Sequence, residues 1–471
     1  MRKHLIGAIS ATAMLTVGAA TAETVDAEFE TAAEESYVWG LGIVAMYRYY
    51  SGMAIVEDGL NQLVHTRSFL KPGDKPGSGP NVDTYYSYGW FDLSDGPIVV
   101  SLPAFGERYY VFQMNDIYGR NFKNVGNGLS SGSPPEYDGP FDFVLVPPGY
   151  QGDVPVELAR VDAPGRLVNV LYRIRVENEA LEGDEARALQ EATLTLPLAD
   201  WLAGERRSIR TLPSETLSAI EDVIVFSEEA TGADQRNPAF FAQVSKVLTY
   251  DPPSAESDIA FMAGPLQVIG FDADGGFAWE SRTEAERAAL LDAQEDGFDR
   301  VQAFIPERGE KVGSATFTSG HAGNYGDDYL LRAAMVLAGA MYPTTEVSRY
   351  ADLFEDANGD PLSGATTYTM TFEPDQLPPV TDFWSLTMYS LGTYDLVDNP
   401  IDRYSISPAT EGLIQNADGS VTVTVSNQKP EDPAANWLPA PQGGFYAMVR
   451  FYAPTQDVLD LSYRLPDLVP Q

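Results

Sequence analysis

The sequence predicts an α+β protein, in which an N-terminal helix and a β-rich domain precede a helical middle section and a C-terminal antiparallel β-sandwich. Two observations predict this class. Short segments rich in valine and aromatic residues fill the first and last parts of the chain, whereas the middle has helical spacing and few β-branched runs. A chain of 471 residues is also too long for one ordinary core, which favours several domains.

The first element is predicted over residues 31–50, where apolar side chains at 37, 41, 44 and 45 and acids in the first turn indicate an amphipathic helix. Strands are expected after it, at 82–91, 97–102, 108–115, 141–146 and 167–176. The last of these alternates regularly. It places Val168, Val170, Tyr172, Ile174 and Val176 on one face and Asn169, Arg173 and Arg175 on the other.

The pattern changes near residue 178. Helical spacing is found at 179–206, 214–229, 238–250 and 283–304. An apolar helix at 328–342 follows, and strands return at 367–373, 383–390, 421–425 and 445–452. We therefore expect a β-rich domain over 23–177, a helical middle section over 178–310 and a C-terminal β domain over 311–471.

Residues 1–22 have the features of a secretory signal peptide. Arg2 and Lys3 precede an apolar stretch, and Ala20-Thr21-Ala22 is a small-residue cleavage site. The stretch is short for a membrane span. The sequence therefore predicts a periplasmic or secreted protein without a membrane span after cleavage.

Composition excludes several classes of function. The formal net charge of −38 repels nucleic acid and anionic membranes, so neither is expected as a partner. The absence of cysteine excludes disulfides, thiolate metal sites and a cysteine nucleophile. A zinc site is not expected, since beyond residue 22 the histidines are His65 and His321 alone, and no cofactor motif is present. Residues 128–132 fit the G-x-S-x-G pattern formally, but they lie in a Gly/Ser/Pro loop.

Three loops, at 272–275, 356–360 and 416–419, combine Asp or Asn with glycine. Such pairs supply the positive φ angles of tight hairpin turns. Calcium binding is the alternative, although each loop lacks the glutamate at the twelfth position of an EF-hand. Hairpin turns are the favoured interpretation.

Several motifs resemble an exported bacterial family with two paired domains of unknown function, numbered 1254 and 1214. The motifs of the first are YVWGL at 37–41, NQLVHTRSF at 61–69, PNVDTYYSYGW at 80–90 and RYYVFQMNDIYGRN at 108–121. Those of the second are PLSG at 361–364, LPPV at 377–380, FWSLTMY at 383–389, NPIDRY at 399–404 and NWLPAP at 436–441. The resemblance implies an α+β protein with β-sandwich domains of jelly-roll character, which in this family is often a homo-oligomer, and it implies no reaction.

The candidate ligand-binding residues follow two aromatic-rich strands that could lie side by side. They are Asn81, Asp83, Tyr85, Asn115, Asp116, Tyr118, Arg120 and Asn121. Amides and carboxylates exchange hydrogen bonds, arginine offers a planar fork, and tyrosine stacks on rings, which would suit a sugar or a small carboxylate. The alternative is structural: Asn and Asp cap turns, and Arg120 pairs with Asp116 or Asp83. A second polar cluster, Asp398, Asn399, Asp402, Arg403 and Arg450, has the same two interpretations.

Three functions remain open at this point. The leading hypothesis is binding of a carbohydrate or another small polar ligand. The second is a hydrolase or lyase acting on a polysaccharide, with His65, Asp83 or Tyr118 as the acid or base. The third is a structural or assembly protein of the cell envelope. A pocket holding a carboxylate of perturbed pKa would favour the enzyme.

Overall fold

A computed structural model of the chain describes residues 24–56, 59–74, 79–132, 137, 139–213 and 230–471. The predicted signal peptide and the predicted helix at 214–229 lie outside the described residues. The α+β class is confirmed, with an N-terminal helix, helices in the middle and a β region at each side of them. No helix in the described ranges has both the length and the apolar character that crossing a membrane requires.

The helices of the described residues fall mainly before and between the β regions. They are α1 (Ala27–Tyr50), α2 (Glu179–Ala192), α3 (Leu198–Leu202), α4 (Phe240–Tyr250), α5 (Glu256–Phe261), α6 (Glu284–Phe304), α7 (Tyr329–Gly339) and α8 (Gln456–Leu459). Asp26 begins α1, because its Oδ1 accepts a hydrogen bond from the backbone N–H of Phe29 at 2.9 Å.

Two sheets form the N-terminal β region. The five-stranded sheet has the order β1 (Val64–His65), β2 (Thr84–Asp92), β8 (Leu167–Arg175), β4 (Tyr110–Asp116) and β5 (Asn121–Gly126). The four-stranded sheet has the order β7 (Ala159–Asp162), β6 (Phe141–Val146), β3 (Ile98–Leu102) and β9 (Leu194–Pro197). An aromatic-rich core that includes Tyr110, Phe112 and Tyr172 joins them.

The C-terminal β region is a sandwich. Its six-stranded sheet has the order β10 (Gly309–Val312), β11 (Ala315–Thr318), β12 (Ser348–Leu353), β18 (Phe445–Tyr452), β14 (Trp384–Ser390) and β15 (Ser405–Ile406). Its four-stranded sheet has the order β17 (Asn436–Pro439), β16 (Val421–Ser426), β13 (Tyr368–Phe372) and β19 (Val469–Pro470). Apolar side chains from both sheets form one core.

The helix α1 is buried on nearly all sides, although the sequence pattern predicts a single apolar face. The difference arises because α4, α6 and α7 all pack around it. Close packing with α6 depends on Gly297, where a Cβ atom would lie 2.6 Å from Cδ1 of Tyr37. The sequence of α1 alone cannot reveal how many neighbours cover it.

The three Asp/Asn-Gly loops form tight turns. In two of them a carboxylate accepts backbone N–H groups of its own turn: Asp272 from Asp274 and Gly276, and Asp356 from Asn358 and Asp360. The glycines at 275, 359 and 419 have φ angles of 86°, 86° and 89°. Within the described residues, no three His, Asp or Glu side chains are grouped as metal ligands would be.

The five-stranded and six-stranded sheets turn one face towards each other. Strand alternation puts Val170 and Tyr172 of β8 into the N-terminal core, so Arg173 points to the opposite face. It likewise puts Ala351 and Leu353 of β12 into the sandwich core, so Tyr350 and Asp352 point away from it. The contact between these two outward faces is where the candidate site lies.

Candidate functional site

Asn81 and Asp83 join the N-terminal β region to the C-terminal sandwich. Nδ2 of Asn81 donates to the hydroxyl of Tyr452 at 2.7 Å. Oδ2 of Asp83 accepts hydrogen bonds from the hydroxyls of Ser385, at 2.6 Å, and Tyr452, at 2.9 Å. Both predicted residues therefore hold the two regions together.

Asp116, Tyr118 and Arg120 belong to a second network, which reaches the helices. Oδ1 of Asp116 accepts the backbone N–H groups of Tyr118 and Arg120, at 3.0 and 2.8 Å. The guanidinium of Arg120 pairs with Asp116 and with Asp258 of α5. Asp258, itself fully buried, also pairs with Arg332 of α7 at 3.2 Å.

The structure separates these two predicted groups of residues. β2 and β4 both pair with β8, so they are not adjacent to each other. Thr84 lies opposite Arg175, whereas Asp116 lies opposite Val168, at the other end of β8. At about 3.4 Å per residue, the two positions are roughly 24 Å apart along β8. The eight candidates therefore do not line one site.

The remaining members of the predicted set make internal hydrogen bonds. Tyr85 lies on the opposite face of the sheet, where its hydroxyl donates to Glu179 of α2 at 2.6 Å. Asn115 donates to Oδ1 of Asn169 at 3.0 Å, and Asn121 donates to the carbonyl of Met114 at 2.9 Å. A ligand-binding role for them stays a prediction, and each already has a partner within the protein.

His65 has one ring nitrogen, Nδ1, 2.7 Å from Oγ of Ser87. Burial, followed by the nearby charge of Arg67, lowers the pKa of His65 to about 4, so the imidazole is neutral near pH 7. Ser87 is itself completely buried on the sheet, beneath Gln190, which donates to the same Oγ at 3.3 Å. The Ser–His pair therefore holds β1 to β2 and does not present an accessible nucleophile.

Tyr118 is also unsuited to proton transfer. Its buried hydroxyl donates to the carbonyl of Asp251 at 2.7 Å, and burial raises its pKa well above the ordinary value. In the C-terminal cluster, Asn399 bonds its own loop, while Arg403 donates to the carbonyl of Trp437 at 3.1 Å. Arg450 lies elsewhere, on the face that meets the N-terminal sheet.

Six side chains from the two facing sheets form what we call the inter-sheet cluster. They are Tyr86, Tyr109 and Arg173 from the N-terminal region and Tyr350, Arg450 and Tyr452 from the C-terminal region. The guanidinium of Arg450 donates to Thr387 at 3.0 Å, to the carbonyl of Gly79 at 3.0 Å and to Tyr389 at 2.6 Å. This arginine is thus held in place by three partners.

Arg173 differs from Arg450 because most of its donors are unused. The side chain is 1% exposed, and one bond, from Nη2 to Oε1 of Gln113, has a length of 2.7 Å. Its Nε and Nη1 atoms are buried without a hydrogen-bond partner, and no carboxylate among the described residues pairs with it. A guanidinium keeps its charge in proteins, so this is a buried cation without a counter-ion.

The tyrosines around this cation differ in burial. Tyr86, Tyr88 and Tyr350 are half-buried, although Arg173, Tyr109 and Tyr452 beside them are buried. The hydroxyl of Tyr109 is buried and has no hydrogen-bond partner among the described residues, like the two nitrogens of Arg173. Unused donors of this kind, next to accessible tyrosine rings, are the properties of a binding site for an acceptor.

Asp352 lies on the same face of β12 as Tyr350. Burial raises its pKa to about 6, and the charges of Arg308 and Arg450 oppose that rise. Because the folded-state pKa exceeds the unfolded one, protonation of Asp352 stabilises the fold below about pH 4, and this contribution is lost as the pH rises through about 6.

We therefore expect the free energy of unfolding of the wild type, relative to Asp352→Asn, to fall by roughly 1–3 kcal/mol between about pH 4 and about pH 7. Urea denaturation at intervals of pH measures this difference. Asp162→Asn, a surface carboxylate paired with Arg160, is the matched control and should show no fall. A difference for Asp352→Asn that is constant with pH would contradict the assignment.

The comparisons with known proteins find two domains in the chain. The model described as "Protein of unknown function (DUF1254)" matches residues 60–197, and "Protein of unknown function (DUF1214)" matches residues 347–456. The chain therefore contains both domains, the first in its N-terminal half and the second in its C-terminal half. No curated protein matches it.

One of two solved structures that match the chain supports the fold. A crystal structure of a Vibrio parahaemolyticus protein is 21% identical, with a TM-score of 0.68, and the match covers 94% of this chain and all of that one. A putative uncharacterized protein from Burkholderia cenocepacia is 14% identical, with a TM-score of 0.41 and 94% of each chain covered. The first likeness supports the fold, and neither description states an activity.

The inter-sheet cluster lies between the two matched domains. Tyr86, Tyr109 and Arg173 fall inside the first match, and Tyr350, Arg450 and Tyr452 fall inside the second. The pairing of the two domains is therefore what brings the cluster together.

Sequence reasoning missed Arg173, Tyr350 and Asp352 as site residues. One signal could have identified Arg173: its neighbours on the polar face of the sheet include Tyr86 and Tyr88, which are large aromatic residues suited to a covered surface. A polar strand face that carries tyrosines next to an arginine indicates an interface more than a solvated surface.

Proposed function

We propose that this protein binds a small organic anion in the inter-sheet cluster. The observation that carries the proposal is Arg173, a buried guanidinium with two nitrogens that have no hydrogen-bond partner and with no carboxylate beside it among the described residues. Burying an unpaired charge costs several kcal/mol. A bound carboxylate would supply the missing acceptors and the counter-charge at the same time.

The cluster favours an anionic ligand over a neutral carbohydrate. A neutral sugar offers hydroxyl acceptors but leaves the charge of Arg173 uncompensated. The hydroxyl of Tyr109 and the partly exposed ring of Tyr86 add a donor and a stacking surface to the guanidinium. A small carboxylic acid, including an acidic sugar, therefore fits best, and the predicted signal peptide supports a role outside the cytoplasm.

An enzyme that acts on the same ligand is the second candidate. Asp352 supports it, since a carboxyl with a pKa of about 6 in the same interface is suited to proton transfer near neutral pH. Tyr118, His65 and Asp83 support it less, because their hydrogen bonds hold the fold.

A thermal-shift screen of residues 23–471 against carboxylic acids, inorganic phosphate and neutral sugars tests the proposal. We expect one or more carboxylic acids to stabilise the protein, by about 2.7 kcal/mol at 100 times the dissociation constant. Arg160→Gln, which removes an exposed surface arginine, is the control and should respond as the wild type does. Stabilisation by neutral sugars alone, or by none of the compounds, would refute the proposal.

A further inference from the structure

Asp352 is the acceptor counterpart of Arg173 on the opposite sheet. Its Oδ1 atom is buried and accepts no hydrogen bond among the described residues. Arg173, in the facing sheet, has two donor atoms, Nε and Nη1, that are equally unused. No ion pair joins these two side chains, although each would satisfy the other if they touched.

The surroundings of Asp352 contain charged groups and tyrosine hydroxyls from several elements. Arg308 lies in the segment before β10, and Arg450 lies on β18, next to β12. The hydroxyls of Tyr342 and Tyr446 also act on Asp352 electrostatically. The carboxyl therefore keeps one unused acceptor despite these neighbours.

Tyr350 connects the two unused groups. It lies two residues from Asp352 on the same face of β12, a spacing of roughly 7 Å, and its hydroxyl interacts with the charge of Arg173. A ligand that reaches both unused groups is therefore longer than a two-carbon acid, and the neighbouring side chains include several tyrosines. Tyr342 and Tyr350 have ring centroids 6.1 Å apart, and Tyr86 and Tyr88 stack at 5.7 Å. Rings of this kind suit an aromatic ligand.

A surface cleft lies beside Arg308. This residue forms part of the wall of an open cleft of about 520 Å³, which also contains His321 and Glu310. The same guanidinium acts on Asp352 and Tyr342 from the inner side. Arg308 thus stands between the surface cleft and the interior carboxyl.

We propose that the inter-sheet cluster binds an aromatic carboxylic acid with a hydrogen-bond donor at its far end, its carboxylate on Arg173 and its hydroxyl or ammonium group on Asp352. This inference rests on the proposed function, since it names the ligand class of the same site. It requires both ends: an acid without the donor leaves Oδ1 of Asp352 buried and unused.

Three probes of matched size test it: para-hydroxybenzoate, para-(aminomethyl)benzoate and para-methylbenzoate. Binding to residues 23–471 is measured by calorimetry at about pH 7.5, where the carboxylate of the probe and that of Asp352 are both ionised. We expect one of the donor-bearing acids to bind at least ~10-fold more tightly than para-methylbenzoate, since an unpaired buried acceptor is costly. Asp352→Leu should remove this preference, and Arg173→Met should weaken all three probes.

The variants separate the outcomes. Asp352→Asn keeps an acceptor without the charge, so it should preserve a preference for the hydroxyl and lose one for the ammonium group. Equal affinities for the three probes, or a preference that survives in Asp352→Leu, overturn the ligand class and leave anion binding intact. Absence of binding by these acids and by every acid of the screen overturns the proposed function and this inference together.

Discussion

Replacing Asp258 by asparagine is expected to lower the free energy of unfolding by about 3–5 kcal/mol. The carboxylate is fully buried and pairs with two arginines, Arg120 and Arg332, while Oδ1 also accepts a hydrogen bond from Nε1 of Trp39 at 2.8 Å. An asparagine is nearly the same size but carries no charge. Two guanidinium groups would then share Asp116 as their remaining carboxylate.

Urea denaturation followed by tryptophan fluorescence measures this loss, because Trp39 lies within the network. Asp162→Asn is the matched control: it also removes a carboxylate that pairs with an arginine, but its side chain is 67% exposed. Exposed pairs contribute about 0–1 kcal/mol. A loss for Asp258→Asn no larger than that of the control would show that the buried network does not stabilise the fold.

The local half of this network could be predicted from the sequence, and the distant half could not. Asp116 and Arg120 are four residues apart, and their pairing is one of the interpretations that the motif allows. Asp258 and Arg332 come from helices far along the chain, and an ion pair between distant segments leaves no local pattern. Arg332 interrupts an apolar helix in the sequence, which reveals that it is unusual but not which carboxylate it contacts.

The same limit applies to the inter-sheet cluster. Alternation along β8 correctly separates Tyr172 from Arg173, because side chains on a strand point to opposite faces. What covers the second face depends on the packing of one β region against the other. The sequence alone therefore assigns Arg173 to a solvent-exposed face, although its side chain is 1% exposed in the fold.

Asp83 illustrates a partly correct prediction. The sequence places it in a polar segment at the start of an aromatic-rich strand, which is where the structure has it. Its partners, Ser385 and Tyr452, come from the other β region and lie 302 and 369 residues further along the chain. Residue type and strand position were thus accessible to sequence reasoning, whereas the role in joining the two regions was not.

Arg173→Met is expected to remove ligand binding without lowering the stability of the ligand-free protein. Methionine fills a similar volume, and the change removes a buried charge that lacks a counter-ion. It also leaves Oε1 of Gln113 without its donor, which costs about 1–3 kcal/mol and offsets part of the gain. The free energy of unfolding should therefore stay within ~1 kcal/mol of the wild type or rise.

The affinity of Arg173→Met for the acidic ligand, in contrast to its stability, should fall. A carboxylate on the free Nε and Nη1 atoms would accept two charge-assisted hydrogen bonds, each contributing about 1.5–3 kcal/mol. Losing both corresponds to at least ~100-fold weaker binding of whichever acid the screen identifies. Calorimetric titration of wild type and variant measures the ratio of dissociation constants, and an unchanged affinity would place the ligand elsewhere.

Arg332→Met provides the contrast, because the same substitution is made at an equally buried arginine whose charge is paired. Arg332 donates to Asp258 at 3.2 Å and to the carbonyl of Trp39 at 3.1 Å, and it is fully buried. Removing it should cost about 3–5 kcal/mol, since Asp258 loses a partner. If the substitution by methionine destabilises the protein at Arg332 but not at Arg173, the charge of Arg332 stabilises the fold and the charge of Arg173 is available to a ligand. If Arg173→Met destabilised the protein as much as Arg332→Met, its guanidinium would have a structural counter-charge and the case for an anion site would fail.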